Sequence, residues 1–276
     1  MESSVAPLLG DDEKPDAQLH RVRHGAACAI LALFVVMAAC HRTLRGTALW
    51  DSIHSADHAF EVGANYVGDA SFGVTGTVAA GAAGLDAFGC VVVGFITALG
   101  GGTCRDVLLG RLPIFWLVAW DEALLCVAVC AATFFAWPPL ARRRGLSVEG
   151  ELLFWTDTVG LGVFAANGAL VGDDVGAPGR ELHFAACAAC GLVTATFGGL
   201  TRDVLLRRPG RILYAHAEVY AAPAFLGGLA TTAWLRLHGR RRRVEAVLLG
   251  VYATVHCRVF AAERGWRLPA WATAAR

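Results

Sequence analysis

Gly94 to Arg111 reads GFITALGGGTCRDVLLGR and Gly191 to Arg208 reads GLVTATFGGLTRDVLLRR, at a constant offset of 97 with 11 of 18 positions identical. The match extends upstream, because Phe72-x-x-Thr75-Gly76 answers to Phe164-x-x-Asn167-Gly168, so the preceding apolar segment belongs to the repeated unit. Downstream, each copy leads into a further apolar segment with an acid near its start, Glu122 in the first and Glu218 in the second. Each unit therefore holds three segments. Three is odd, so if the segments span a membrane the second copy enters from the opposite face, and the copies become inverted repeats related by an axis in the membrane plane.

Composition says that they do span one. Of 276 residues, 56% are hydrophobic and 17% are charged, against about 25% charged in soluble domains. Ala87 to Cys104 is 18 residues without an acidic or basic side chain, the signature of a membrane helix. Seven such segments are expected at about Val62 to Leu85, Ala87 to Cys104, Leu112 to Trp137, Leu152 to Gly172, Leu182 to Thr201, Ile212 to Leu235 and Val244 to Ala262. Trp116, Trp120, Trp137, Trp155, Trp234 and Trp266 fall near their ends, where indole rings favour the headgroup interface. The expected fold class is an all-α integral membrane protein, with two inverted three-helix repeats, a seventh helix and an extra N-terminal apolar helix. The corresponding division is 1–20 a disordered polar tail, 21–46 the extra helix (an anchor or an uncleaved signal), 62–137 the first repeat, 151–236 the second, 244–262 the seventh helix and 263–276 a tail. Thr47 to Glu61 reads as a polar connection.

This composition excludes an ordinary soluble enzyme, and the lipid bilayer is the first partner it implies. A net charge of +1 argues against nucleic acid, which needs a concentrated basic face. The one basic run, Arg240 to Arg243, reads as a loop beside a membrane helix, with anionic headgroups as the other reading. With eight spans, one face collects 14 of the 24 basic residues, which places both termini in the cytoplasm by a narrow margin. The nine cysteines lie in or beside apolar runs and read as small packing residues. His54 and His58 share a helix face without a compelling third ligand, and neither a metal nor a cofactor is expected.

Gly100-Gly101-Gly102 and Gly198-Gly199 sit late in apolar segments, where each interior glycine costs about 0.5 to 1 kcal/mol relative to alanine. Matching breaks in two inverted repeats mark a permeation path in which freed backbone groups meet water; the alternative is that the glycines only let helices pack closely. Thr97 and Thr194 lie one turn earlier. Arg105-Asp106 and Arg202-Asp203 follow each glycine run and would anchor the helix end or face the aqueous path. Asp69, Asp157 and Glu218 lie in or near apolar runs, where an isolated charge costs about 2.5 to 3.5 kcal/mol, so each should face water or a partner. Asn167, His183 and His216 are further polar groups for the same cavity.

These residues also carry a resemblance. Leu85-Asp86-x-Phe88-Gly89, Thr97-Ala98-Leu99-Gly100-Gly101-Gly102-Thr103-x-Arg105-Asp106-x-Leu108-Leu109-Gly110-Arg111-x-Pro113, the second Gly198-Gly199-x-x-Arg202-Asp203 and the closing Arg264-Gly265-Trp266-x-Leu268-Pro269 resemble the bacterial inner-membrane family named for glycine transport, which is related in fold to the trimeric intracellular cation channels. The resemblance runs from about Gly63 to Pro269. It implies seven helices in two inverted repeats plus one, a homotrimer, an hourglass pore in each protomer, and helices 2 and 5 kinked at the glycine runs. Members are described as monovalent-cation channels or as glycine carriers. This chain departs from the pattern at Phe197, in the insert around Asp173 to Arg180 and in its added N-terminal segment. The expected function is transport of a small solute in the plasma (inner) membrane or an organelle membrane. The Arg-Asp pairs favour a zwitterion such as glycine over a monovalent cation, and a non-conducting scaffold is the third reading. No H-E-x-x-H, G-x-S-x-G or intramembrane G-x-G-D motif points to an enzyme.

Overall fold

In the computed structural model, residues 48–148, 150–175, 181–213 and 219–269 are described, with side chains from residue 60 onward. The expected tail 1–20, the helix 21–46, Glu218, His216 and the side chains of His54 and His58 lie outside them. Seven long helices follow in chain order: α1 (Ala48–Ala82), α2 (Ala87–Leu108), α3 (Trp120–Arg144), α4 (Glu151–Asp174), α5 (Phe184–Leu205), α6 (Ala221–His238) and α7 (Arg243–Glu263), with a helical turn, Phe115–Val118, before α3. No strand occurs among the described residues.

Local chemistry sets the ends. The Asp86 carboxylate accepts the Gly89 N–H at 2.8 Å and caps α2; at the matching position His183 Nδ1 accepts the Ala185 N–H at 3.4 Å and caps α5. The two helices thus begin and end at the same points of the repeat. α3 runs through Pro138 and Pro139 to Gly145, whose φ of +63° is the left-handed stop that glycine adopts freely. α1 differs from expectation: it begins at Ala48, so the stretch read as a polar connection is helical. Ala48 to Glu61 contains neither glycine nor proline to stop a helix.

By length and composition α2, α3, α5 and α7 are apolar enough to cross a membrane. α4 is not among them, and the reason is its position: it packs against α1, α5, α6 and α7 at once, and most of its residues are buried. A helix enclosed by protein can keep Asp157, Asn167 and four glycines where a lipid-facing helix needs leucine.

The inverted repeat is visible in the packing. A Cβ built on Gly101 of α2 would lie 2.0 Å from the Thr194 carbonyl oxygen of α5, and one on Gly198 of α5 would lie 2.1 Å from the Thr97 carbonyl oxygen of α2. The partner number falls as the residue number rises, so α2 and α5 cross antiparallel. α1 and α4 do the same: a Cβ on Gly68 would meet the Phe164 ring at 2.6 Å and one on Gly160 the Phe72 ring at 3.0 Å. Thr97 lies against Gly76 and Thr194 against Gly168 in the same paired fashion.

This geometry corrects the expected break. α2 passes through Gly100 to Gly102, and α5 through Gly198 and Gly199, as uninterrupted α-helix. Gly101 and Gly198 are glycine because the partner's main chain occupies the space a side chain would need. The close packing accounts for Gly101 and Gly198, and the helices are continuous at both glycine runs.

At one end of the bundle an ion-pair cluster fastens α4 to α1, α6 and α7. Asp173 sits 2.9 Å from Arg236 Nη2 and 2.8 Å from Arg240 Nε, and Arg243 reaches Asp174 at 2.8 Å as well as Glu61. The hydrogen bond that Arg240 Nε donates to the Asp173 carboxylate raises the pKa of the guanidinium above its ordinary value. The basic run is therefore the α6–α7 loop, with Arg240, Arg242 and Arg243 in ion pairs.

Candidate transport site

Two polar cavities lie on opposite sides of the helix crossing. The first, 180 Å³, is lined by Asn65, Asp69, Ala98, Gly102, Arg105, Arg111, Phe115, Glu122, Phe164, Asn167, Val171 and Thr194. The second, 590 Å³, is lined by Thr75, Ala79, Val148, Leu153, Phe154, Asp157, Arg202, Asp203, Arg208, Pro209, Arg211, Tyr220 and Arg258. The two linings are related by the repeat. Arg105 and Arg111 answer to Arg202 and Arg208 at the offset of 97, and Asn65, Asn167 and Val171 answer to Asp157, Thr75 and Ala79 at an offset of 92.

Each Arg-Asp pair is buried and serves two purposes. Arg105 Nε donates to Asp106 Oδ1 at 2.9 Å, and Arg202 Nε to Asp203 Oδ1 at 2.8 Å. The other carboxylate oxygen accepts a backbone N–H from the loop that follows, Phe115 in one repeat and Arg211 in the other, both at 3.3 Å. The aspartate thus pins the returning loop while the arginine lines the cavity. The charge-assisted bond keeps the guanidinium in place.

The chemistry of the cavities has diverged. In the first, Asn167 Nδ2 donates to Asn65 Oδ1 at 2.8 Å, and Asp69, only 2% exposed, has an Oδ2 without a hydrogen-bond partner among the described residues. Glu122 is also buried and lines the same space, and its neighbour in sequence, Asp121, accepts a hydrogen bond from the Tyr66 hydroxyl. In the second, Asp157 is tied on two sides, by the Tyr220 hydroxyl at 3.2 Å and by Arg258 Nη2 at 2.7 Å, with Arg211 Nη1 at 3.9 Å. Arg258 comes from α7, which has no counterpart in the first repeat, so its charge enters one cavity and not the other.

Between them stands an aromatic septum. Phe72 and Phe164 meet edge to face, with centroids 5.2 Å apart, and both are buried. Along α1 the first cavity ends at Asp69 and the second begins at Thr75, a separation of about 9 Å at 1.5 Å per residue.

Among the residues singled out from sequence, Asp69, Gly102, Arg105, Asn167 and Thr194 line the first cavity, and Asp157, Arg202 and Asp203 line the second. Gly100, Gly101 and Gly198 lie at the helix crossing, Gly199 beside Arg202, and Thr97 is turned back onto the Val93 carbonyl at 2.6 Å. Asp106 lies behind Arg105. Sequence reading passed over Asn65, Tyr220 and Arg258, and noted Glu122 only as a repeat marker. Arg258 carried the clearest signal, an arginine inside an apolar run.

Inverted repeats around two polar cavities, separated by a thin septum, define a membrane transport protein. A family model described as "Glycine transporter" matches residues 63–138 and 154–236. The chain belongs to that family. It is 33% identical over 208 residues to a "UPF0126 membrane protein" of Vibrio cholerae, covering 74% of this chain and 80% of the relative. It is also 33% identical to the "UPF0126 inner membrane protein YadS" of Escherichia coli K12, covering 75% and 93%. A solved structure titled "Structural basis for conductance through TRIC cation channels" superposes with a TM-score of 0.67 at 29% identity, over 77% of this chain and 98% of that one. The trimeric intracellular cation channel orthologue from Rhodobacter sphaeroides gives 0.63 at 34% identity, over 75% and 99%.

Proposed function

We propose that the chain carries a small zwitterionic amino acid, glycine in the first place, between the two cavities. The observation that supports this reading is their unequal charge. Among the described residues, the first cavity sets Asp69 and Glu122 against Arg105 and Arg111, and the second sets Arg202, Arg208, Arg211 and Arg258 against two aspartates. A zwitterion finds an acid for its ammonium group on one side and arginines for its carboxylate on the other. A bare monovalent cation meets four guanidinium groups at one end of its path, an electrostatic barrier.

Movement across the septum requires Phe72 and Phe164 to part, and rocking one inverted repeat against the other about the Gly101–Gly198 crossing is the motion such a fold permits. By analogy with the trimeric channel it resembles, the protein assembles as a homotrimer with one path in each protomer, and by analogy with its Escherichia coli relative it resides in the inner membrane.

A second reading, a monovalent-cation channel, is favoured by the unpartnered Oδ2 of Asp69 and by the cation channels among its structural relatives. Proteoliposomes loaded in parallel with potassium and with labelled glycine separate the two. Glycine exchange above that of protein-free vesicles, with potassium flux at the control level, is the expected result. Potassium flux without glycine exchange overturns it in favour of the channel.

A further inference from the structure

The second cavity contains a cation the fold does not use up. Arg258 is 2% exposed, and its guanidinium lies between the Phe154 ring, at 5.0 Å, and the Tyr220 ring, at 4.6 Å. Nη2 faces Asp157 at 2.7 Å. Nε and Nη1 have no hydrogen-bond partner among the described residues, although a guanidinium carries five N–H donors and interiors rarely leave buried donors unmade. The two rings fix the plane of the group, and the one aspartate fixes its position. Unlike an arginine that completes an ion-pair network, as Arg243 does at the other end of the bundle, this one is held in place with donors to spare.

The surroundings fit a negatively charged ligand. Arg258 lines the cavity together with Arg202, Arg208 and Arg211. Among the described lining residues these four guanidinium groups stand with two carboxylates, Asp157 and Asp203. Arginine is the side chain best suited to a planar carboxylate.

We propose that the second cavity holds a carboxylate-binding site centred on Arg258 and completed by Arg211, and that it receives the carboxylate end of the transported amino acid. This rests on the reading of the chain as an amino-acid carrier. It adds that opposite ends of the solute are recognised before and after it passes the septum, the ammonium at Asp69 in the first cavity and the carboxylate at Arg258 in the second. The same chemistry suits a free monocarboxylate, which the experiment separates.

Calorimetric titration of the purified full-length protein in detergent, with acetate, glycine and methylammonium added separately, tests this. Acetate and glycine bind the wild type and compete with each other; methylammonium does not displace acetate. The double variant Asp157→Asn with Arg258→Gln exchanges the ion pair for a neutral one of similar shape and lowers acetate affinity at least about tenfold. Arg211→Gln, at the half-exposed rim, lowers it less and keeps the fold if the double variant does not. Arg258→Lys, which keeps the charge and loses the planar fork, falls between wild type and the double variant. Acetate binding that is absent from the wild type, or unchanged in both Arg258→Lys and Arg211→Gln, overturns the site. If acetate binding follows the variants while wild-type vesicles exchange no glycine, the site stands as one for free monocarboxylates and the amino-acid reading fails. If glycine exchange and acetate affinity both survive in the variants, the carrier reading stands and this site fails.

Discussion

The two cavities derive from the same repeated sequence and have become chemical opposites. Asn65 stands in one where Asp157 stands in the other, and Leu161 occupies the position equivalent to Asp69. In the first cavity the acid is buried with an oxygen unpartnered, whereas in the second it is enclosed by Tyr220 and Arg258. The backbone, the helix crossing and the Arg-Asp pairs stayed alike, while the side chains facing the cavities changed. Symmetry therefore belongs to the scaffold, and direction belongs to the lining.

The sharpest way to break this comparison is to neutralise one acid in each cavity. Asp157→Asn leaves Arg258 buried without its counter-ion and should destabilise the protein by about 3 to 5 kcal/mol, the cost of removing one member of a buried pair. Asp69→Asn removes a charge that has no close counter-ion and should leave stability unchanged or raised, while glycine exchange falls. Thermal unfolding in detergent, read as loss of the monodisperse peak, measures both. Equal losses for the two variants would mean that the cavities do not differ as described.

A smaller effect tests the shared scaffold. Gly198→Ala places a methyl group against the Thr97 carbonyl and should cost about 1 to 3 kcal/mol or more through overpacking. Gly199→Ala meets only the end of Arg202 at 3.7 Å and should be neutral or slightly stabilising, since alanine is the better helix former. A similar loss in both would show that the glycines matter through the backbone and not through the crossing. A modest loss is expected for Asn65→Ala, which removes the hydrogen bond to Asn167 and should cost about 1 kcal/mol by the same assay.

The repeat was the most legible feature, because a second copy of Thr-Ala-x-x-Gly-Gly-x-x-Arg-Asp at a fixed distance needs no structural knowledge to find. It predicted inverted topology and brought out the paired Arg-Asp motifs. The role of the glycines was not legible. A glycine run reads the same whether the helix opens there or another helix lies against it, and the Thr194 and Thr97 carbonyls that decide the matter come from a segment 97 residues away. Asn65 was hidden for a related reason: it lies near the start of an expected segment, where polar residues are ordinary. Arg258 lies in the seventh helix, which stands outside the repeat, so no second copy marks it, and for the same reason that helix is free to make the cavities unequal.

The thinness of the Phe72–Phe164 septum has an electrical consequence. Where water-filled cavities reach in from both sides, the membrane potential drops across the short dry segment and not across the whole bilayer. A net charge crossing those few ångströms would feel most of the potential, about 2.3 kcal/mol per 100 mV, whereas a zwitterion crosses without net electrical work. Voltage, applied to a protein whose substrate carries both signs, should leave the rate of exchange nearly unmoved.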